Sequence, residues 1–187
     1  DDILLVFNGE IYNYKELIHV EHLECKTKSD SEVLIRLYQK YGFDFLNKLN
    51  GMFSFCIYDM KKELYFCARD RYGKKPFFYY FKDNKFIFSS SVKSILNLLD
   101  YKPNLNKVAL SKYMQYFVPF GEDTFYQDIF KLEASTYMIY EPNKAFELQK
   151  KKYYRINTYK AVKEEKQALN YIEELLFKSV EYKNYKG

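Results

Sequence analysis

The sequence lacks any apolar run long enough to cross a bilayer, although 48% of its 187 residues are hydrophobic. Charged residues are interspersed throughout and make up 29% of the chain. A membrane-spanning helix needs about 20 consecutive apolar residues. We therefore expect a soluble globular protein without a membrane partner, long enough for one good core and at most a small second domain.

Cysteine is also scarce, with three residues in the chain. Cys25, Cys56 and Cys67 are odd in number and have no metal-ligand spacing, which argues against a disulfide framework or a zinc site. The first residues carry neither the basic start nor the cleavage site of a signal peptide. We expect a cytoplasmic protein with no metal in this chain. Cys56 and Cys67 are expected to be buried in strands, whereas Cys25 precedes a polar loop, where a thiol can be exposed.

No segment of the sequence concentrates basic residues. The net charge is +5, but the 30 lysines and arginines are dispersed among 25 acidic residues and 21 tyrosines. Nucleic-acid-binding domains gather basic side chains on one face to follow the phosphates. The composition therefore does not favour a nucleic-acid partner, and it says nothing about oligomeric state.

Periodicity and turn residues predict an α+β fold. Asn13 with Glu16, and Ser29 with Glu32, resemble capping boxes at the starts of two helices. The strands are apolar on both sides, so we expect a buried antiparallel sheet covered on both faces by helices or a second sheet. Predicted strands span residues 3–7, 52–58, 64–68, 76–81, 85–88 and 137–140, and further helices span 90–99, 106–117 and 164–182.

The segment at residues 8–13, Asn-Gly-Glu-Ile-Tyr-Asn, follows the first predicted strand. A corner at this point can present a side-chain amide and a glycine N–H to a developing oxyanion. Asn8 and Gly9 can equally form a tight turn that ends the strand, with Asn13 as a helix cap. Spacing alone leaves both interpretations open.

Four motifs in order give the chain a family resemblance. Residues 8–13 resemble the NGEIYN signature of class II glutamine amidotransferases of the asparagine synthetase type. Residues 29–33 (SDSEV), 49–55 (LNGMFSF) and 68–76 (ARDRYGKKP) resemble three further motifs of that family. The similarity covers nearly the whole chain. It implies an N-terminal-nucleophile hydrolase-type sandwich of antiparallel sheets with flanking helices, incomplete at the N-terminus.

The resemblance also implies roles for individual residues. In the family an N-terminal cysteine attacks the glutamine side-chain amide, with its own α-amino group as the base. Carried over by motif, Asn8 and Gly9 form the oxyanion hole, Glu10 helps to hold glutamine, and Asp30 binds the α-ammonium group of the substrate. For Glu32 we favour a helix-capping role over a substrate contact.

Arg69 and Asp70 flank the turn before Gly73. They can shape the interior near the exit for ammonia, or they can form a local ion pair that fixes the hairpin. We favour the ion pair, because turns of this kind often carry structural charges.

The matched pattern also has gaps. Residue 1 is Asp1, only seven positions before Asn8, so we expect the first strands, the nucleophilic cysteine and a substrate-binding arginine to be missing and this chain alone to be inactive. Ser91 stands where the family usually has glutamate, and residues 133–135 (Glu-Ala-Ser) replace its usual LPPG turn. These departures weaken the assignment of asparagine as the product.

The domain organisation that the resemblance implies has two parts. Residues 1–155 correspond to the glutaminase domain, and residues 156–187 to a linker and the first helix of a truncated synthetase domain. Ammonia from glutamine would pass to that domain, which uses ATP and Mg²⁺ to convert aspartate to asparagine. Three alternatives stay open: a relative acting in surface-polysaccharide biosynthesis, a non-catalytic glutamine-binding remnant, and a truncated product without a stable fold.

Overall fold

A computed structural model describes residues 2–118, 121–144, 147–156 and 164–184, with side chains described as far as residue 181. The strands in these ranges are β1 (Ile3–Ile11), β2 (Gly51–Asp59), β3 (Leu64–Arg69), β4 (Phe78–Lys82), β5 (Lys85–Ser89), β6 (Ile129–Lys131), β7 (Thr136–Tyr140) and β8 (Leu148–Lys152). The α-helices are α1 (Tyr14–Val20), α2 (Asp30–Tyr41), α3 (Val92–Leu96), α4 (Lys107–Tyr116) and α5 (Glu165–Asn184), and a 3₁₀ helix spans Gly42–Lys48.

The strands form two antiparallel sheets. The larger sheet has the order β1-β2-β3-β7-β8, and the smaller one has the order β5-β4-β6. Consecutive strands β2 and β3 pair directly, with Cys56 opposite Cys67, and β4 pairs with β5 in the same way. The strands predicted at 52–58 and 64–68, and at 76–81 and 85–88, therefore pair as antiparallel neighbours.

Three clusters of buried side chains separate the layers. The largest cluster lies between the larger sheet and α1, α2 and the 3₁₀ helix, and includes Leu34, Phe55 and Phe66. The second lies between the two sheets, and the third lies behind the smaller sheet, where Ile95 of α3 packs against Tyr80. The order of layers is helix, sheet, sheet, helix, so the larger sheet is covered on both faces as expected, with an exception on β1 described below.

The end of β1 differs from the prediction. Residues 8 and 9 do not form a turn, because β1 continues through them to Ile11 in unbroken register with β2. Asn13 occupies the cap position of α1, but its side chain makes no cap hydrogen bond. Its Nδ2 donates to the carbonyl oxygen of Lys48 at 3.0 Å, and its Oδ1 accepts from the N–H of Asn50 at 2.9 Å. Asn13 therefore ties the start of α1 to the start of β2. The prediction of a capping box formed by Asn13 and Glu16 is wrong.

The other helices agree with the sequence more closely. Asn106 caps α4 through a 3.0 Å hydrogen bond from the N–H of Ala109 to its Oδ1. α2 ends at Tyr41, with Gly42 as its C-cap residue. α3 is shorter than predicted, because the N–H of Ser91 bonds to the hydroxyl of Ser89 and the chain enters the helix only afterwards.

Two strands were not predicted from the sequence. β6 is three residues long and pairs with β4, and β8 pairs with β7, so residues 137–140 are not the last strand. β8 contains three consecutive lysines and is largely exposed, which explains why its sequence carries no strand pattern.

The cysteines are unpaired thiols. Cys56 and Cys67 are buried between the sheets, which confirms the prediction, whereas Cys25 is half-buried against the largest core cluster. In the described ranges, no helix combines the length and apolar character that a membrane span requires.

Candidate functional site

β1 has one paired edge and one open edge. The N–H of Tyr12 donates to the carbonyl oxygen of Asn50 at 2.8 Å, so the even-numbered residues of β1 exchange backbone hydrogen bonds with β2. Because backbone groups alternate along an antiparallel strand, those of odd-numbered residues, including Gly9 and Ile11, point to the other edge. In the described part of the chain no strand pairs with that edge. The N–H of Gly9 therefore points to an edge of β1 that has no strand partner in the described ranges.

Gly9 lies where β1 and β2 approach most closely. Its φ angle is +153°, and a Cβ atom at this position would lie 2.1 Å from the carbonyl oxygen of Met52 and 2.7 Å from the Cα of Phe53. Gly51 faces the same constriction from β2, since its Cβ would lie 2.3 Å from the carbonyl oxygen of Glu10. The glycine of the motif is thus required by a close backbone contact rather than by a turn.

Asn8 and Glu10 are even-numbered and share the face of β1 that looks towards the smaller sheet. Asn8 lies opposite Ser54, whose hydroxyl donates to the carbonyl oxygen of Pro76 at 2.9 Å. Asn8 lines a cavity of about 230 Å³ between the sheets, together with Val6, Phe77, Phe88 and Ser89. This face is open on one side, because Leu4 and Val6 are 54% and 60% exposed.

Asp30 is the first residue of α2, which Ser29 caps by accepting the N–H of Ser31 at 3.2 Å. Oδ2 of Asp30 accepts the N–H of Ile11 at 3.1 Å. Ile11 is the odd-numbered neighbour of Gly9, so this bond places Asp30 on the open edge next to the glycine. The structure thereby brings together the four residues singled out from the sequence: Asn8, Gly9, Glu10 and Asp30.

Glu32 does not close the second capping box. Its carboxylate accepts the N–H groups of Lys26 and Thr27 at 2.8 and 2.7 Å and the Thr27 hydroxyl at 2.6 Å, and it pairs with Arg36 at 3.3 Å. Hydrogen bonds from the Thr27 hydroxyl and then from these N–H groups lower the pKa of Glu32 to about 2. Glu32 therefore holds the loop before α2, whereas Ser29 alone caps the helix.

Arg69 and Asp70 do not form the expected ion pair, because both bind backbone groups instead. The guanidinium of Arg69 donates to the carbonyl oxygens of Lys75, Leu132 and Gly73, each at 2.6 Å. The Asp70 carboxylate accepts four backbone N–H groups. The two residues do stabilise the turn, but each does so through the main chain.

Two larger depressions flank β1. A groove of about 840 Å³ follows its open edge and is walled by α2, with Phe7, Ser29 and Glu32 among its lining residues. A pocket of about 510 Å³ lies at the end of the strand, between Tyr12, Asp70 and Leu175 of α5. Burial, followed by the nearby carboxylates of Glu10 and Asp70, raises the pKa of Tyr12. Within the described ranges no three His, Cys, Asp or Glu side chains are placed to hold a metal ion.

Comparison with known proteins identifies the family. The family model of the glutamine amidotransferase domain matches residues 1–154. The chain belongs to this family. A Methanocaldococcus jannaschii protein named as a glutamine-hydrolysing asparagine synthetase is 43% identical over 182 residues, which cover 96% of this chain and 35% of that protein. Asparagine synthetase 1 of Bacillus subtilis is 32% identical over 94% of this chain and 28% of its own length.

A solved structure shares the fold of the amidotransferase domain. It is the glutamine phosphoribosylpyrophosphate amidotransferase of B. subtilis, which superposes on 80% of this chain with a TM-score of 0.53 at 16% sequence identity and is itself covered to 29%. The expected α+β sandwich of the N-terminal-nucleophile hydrolase type is therefore confirmed. The chain spans about a third, or less, of the length of these proteins.

Asn13 and Asp70 are the residues at this site that sequence reasoning misjudged. The sequence predicts a helix cap at Asn13 and an ion pair for Asp70, yet both hold the β2 end of the site through backbone hydrogen bonds. Both residues lie inside the family motifs at 8–13 and 68–76. Their position in these motifs was the signal in the sequence that could have assigned them to the site.

Proposed function

We propose that this chain is the glutaminase portion of a glutamine-hydrolysing asparagine synthase and that it binds glutamine at the open edge of β1. The observation that carries the proposal is the sharing of that edge by Gly9 and Asp30. Two successive outward N–H groups on a strand lie about 7 Å apart. The first belongs to Gly9, and the second, from Ile11, is bound to Asp30.

Each residue has a chemical task in this arrangement. The Asp30 carboxylate takes the α-ammonium group of glutamine in a charge-assisted hydrogen bond. The Gly9 N–H and the Asn8 side-chain amide take the carbonyl oxygen of the substrate amide, on which negative charge develops during attack. Glu10, beside them, helps to hold the substrate.

The attacking thiol is not supplied by the cysteines of this chain. In the family it belongs to an N-terminal cysteine, whereas the cysteines of residues 1–187 are Cys25, Cys56 and Cys67. Cys67 lies beside Cys56 between the sheets, where burial raises the pKa of its thiol. Burial also raises the pKa of the Cys25 thiol. Residues 1–187 therefore bind and polarise glutamine but do not attack it.

We also propose that residues 156–187 lead into the synthetase domain that receives the ammonia, with ATP, Mg²⁺ and aspartate as its ligands. The names of the relatives support this assignment. α5 supports it too, because its side chains from Leu169 to Val180 include seven large apolar residues that are about half to two-thirds exposed. The proposed linker, residues 157–163, lies outside the described residues.

A second candidate is a non-catalytic glutamine-binding module. The same geometry favours it, because Asp30 lies on the edge of β1 that it shares with Gly9, while burial raises the thiol pKa values of Cys25 and Cys67. Both candidates require glutamine binding, and only the first requires ammonia release once an N-terminal cysteine is supplied.

Titration calorimetry with glutamine tests the shared requirement. The chain is expected to bind glutamine, Asp30→Ala to abolish binding, and Asp44→Ala, an exposed acid on the 3₁₀ helix, to leave it unchanged. Equal binding by the wild type and Asp30→Ala, or no binding by the wild type, contradicts the proposed site.

A further inference from the structure

Asp70 is a buried carboxylate, 1% exposed, whose two oxygens are saturated by backbone donors. Oδ2 accepts the N–H groups of Phe53 at 3.2 Å and Lys75 at 3.0 Å. Oδ1 accepts those of Tyr72 and Lys74, each at 3.0 Å. A carboxylate that accepts several backbone N–H groups fixes their relative positions, because each bond is charge-assisted.

The main chain of Asp70 extends the same contact. Its N–H donates to the carbonyl oxygen of Phe53 at 2.8 Å, and its own carbonyl oxygen accepts from Gly73 at 3.1 Å and Ser135 at 2.9 Å. Both backbone groups of Phe53 are therefore bound to Asp70. In the described ranges, no other residue of β2 has its N–H bound to a side chain and its carbonyl oxygen bound to the backbone N–H of that same partner.

Phe53 is the residue against which Gly9 rests. The two are opposite each other in the register of β1 and β2, and an added Cβ on Gly9 would come within 2.7 Å of the Phe53 Cα. Asn8 and Glu10, on either side, pair with Ser54 and Met52. A shift of β2 at this point would therefore move the Asn8 amide and the Gly9 N–H together.

We propose that Asp70 is a positioning residue for the glutamine site, holding β2 at Phe53 so that Asn8 and Gly9 present their donors in a fixed geometry. The proposal rests on the function proposed above for Asn8 and Gly9. Asp70 does not touch the substrate; it acts through the backbone of Phe53.

The chain contains a matched control at the other end of β2. Asp59 is also buried and accepts the N–H groups of Lys61 and Lys62 at 3.1 Å and the Tyr38 hydroxyl at 2.9 Å. It lies opposite Ile3, six residues along β2 from Phe53, a distance of about 20 Å. Asp70→Asn and Asp59→Asn therefore remove the same charge from buried carboxylates at opposite ends of one strand, Asp59 having an additional ion pair with Lys62 at 3.3 Å.

The first measurement is hydrogen exchange of both variants, followed by NMR at single amides. In Asp70→Asn, exchange at the amides of Asn8 and Glu10 accelerates about tenfold more than at Leu34 and Leu37 in α2, the effect expected when one buried hydrogen-bonded group is lost. In Asp59→Asn, exchange at Asn8 and Glu10 is not accelerated more than exchange at Leu34 and Leu37. Acceleration at Asn8 and Glu10 that only matches α2 overturns the proposal, whether or not glutamine binds.

The second measurement is glutamine affinity, compared at temperatures where the two variants are equally folded. Asp70→Asn is expected to raise the dissociation constant about tenfold relative to Asp59→Asn, the loss that one well-placed hydrogen bond represents. Equal affinities overturn the proposal. If the wild type does not bind glutamine, the proposed function fails, and the exchange measurement still decides the role of Asp70.

If Asp70→Asn does not fold, exchange of the wild type in low denaturant replaces it. The amides of Asn8 and Glu10 are then expected to open in one step with those of Tyr72 and Lys74, below the free energy of global unfolding. Separate opening of the two groups overturns the proposal.

Discussion

Asp30 and Ile11 are joined by a 3.1 Å hydrogen bond from the backbone N–H of Ile11 to Oδ2 of the carboxylate. The bond connects the first turn of α2 to the open edge of β1. It places the Asp30 carboxylate beside the outward-pointing N–H of Gly9. The position of this carboxylate therefore depends on both α2 and β1.

Asp30→Asn keeps an oxygen that can accept the Ile11 N–H but removes the charge. The free energy of unfolding is expected to change by less than about 1 kcal/mol, since a neutral acceptor remains. Glutamine affinity is expected to fall at least about tenfold, because a hydrogen bond to a charged group contributes about 1.5–3 kcal/mol. Chemical denaturation and calorimetry on one preparation measure both effects. A large loss of stability with unchanged affinity would assign Asp30 a structural role only.

Gly9→Ala is expected to destabilise the fold by about 3 kcal/mol, because a Cβ at this position cannot avoid the Met52 carbonyl oxygen without moving β2. Gly121→Ala is the matched control. Gly121 also has a positive φ, but a Cβ there would meet no atom within 4 Å, so only the cost of the backbone conformation applies, about 1 kcal/mol. Urea unfolding of both variants measures the difference, and equal losses would show that β1 and β2 do not constrain Gly9.

The lowered pKa of Glu32 predicts that the stability of the fold depends on pH. Its pKa is about 2 in the folded chain and ordinarily 4.5. A lowered folded-state pKa adds stability that is complete above the unfolded value and is lost as the pH falls through the folded one. Glu32→Gln is therefore expected to lower the Tm above about pH 4.5, with the gap from the wild type closing towards pH 2. Thermal melts across this range provide the test, and a gap that stays constant contradicts it.

The polypeptide of residues 1–187 is expected to release no ammonia from glutamine above the uncatalysed rate. Its three cysteines are not N-terminal, and two of them are buried between the sheets. A coupled assay for ammonia measures the rate, with the triple variant Cys25→Ser, Cys56→Ser and Cys67→Ser as control. Hydrolysis at an ordinary enzymatic rate, abolished in that variant, would show that the N-terminal cysteine mechanism is the wrong one.

Removal of residues 157–187 is expected to leave the amidotransferase fold intact. Among the side chains that the structure describes, none from α5 belongs to the three core clusters, although Leu175, Lys178 and Ser179 line the pocket beside Tyr12. The Tm of residues 1–156 should lie within about 4 °C of that of the whole chain, the shift that about 1 kcal/mol causes. A loss of the cooperative transition would place α5 inside the domain rather than at its boundary.

Local sequence signals predicted the parts of the fold that depend on neighbouring residues. The apolar runs of β2, β3, β4 and β5 and the turns between them determine the hairpins, because antiparallel neighbours need only a short connection. The sequence predicts Ser29 as a cap because capping is a contact within one turn of helix.

β6 and β8 could not be predicted in the same way. β8 is the sequence Leu-Gln-Lys-Lys-Lys, which has no apolar alternation, and it is a strand because β7 offers it a free edge. β6 is too short to show a period and exists through its pairing with β4. Both strands form by pairing with another strand, and the pattern of residues within a short segment does not reveal such pairing.

The sequence by itself determined the family, through four motifs in order, and with it the four candidate residues of the glutamine site. The tertiary structure decided how they work together. Asn8 and Gly9 were expected at a turn but lie inside β1, because the open edge of that strand, rather than a corner, presents the Gly9 N–H. Asp30 reaches β1 and Asp70 reaches β2 from positions 19 and 17 residues away from their partners Ile11 and Phe53. Contacts of that kind depend on how the sheet and α2 pack, so only the folded chain could show them.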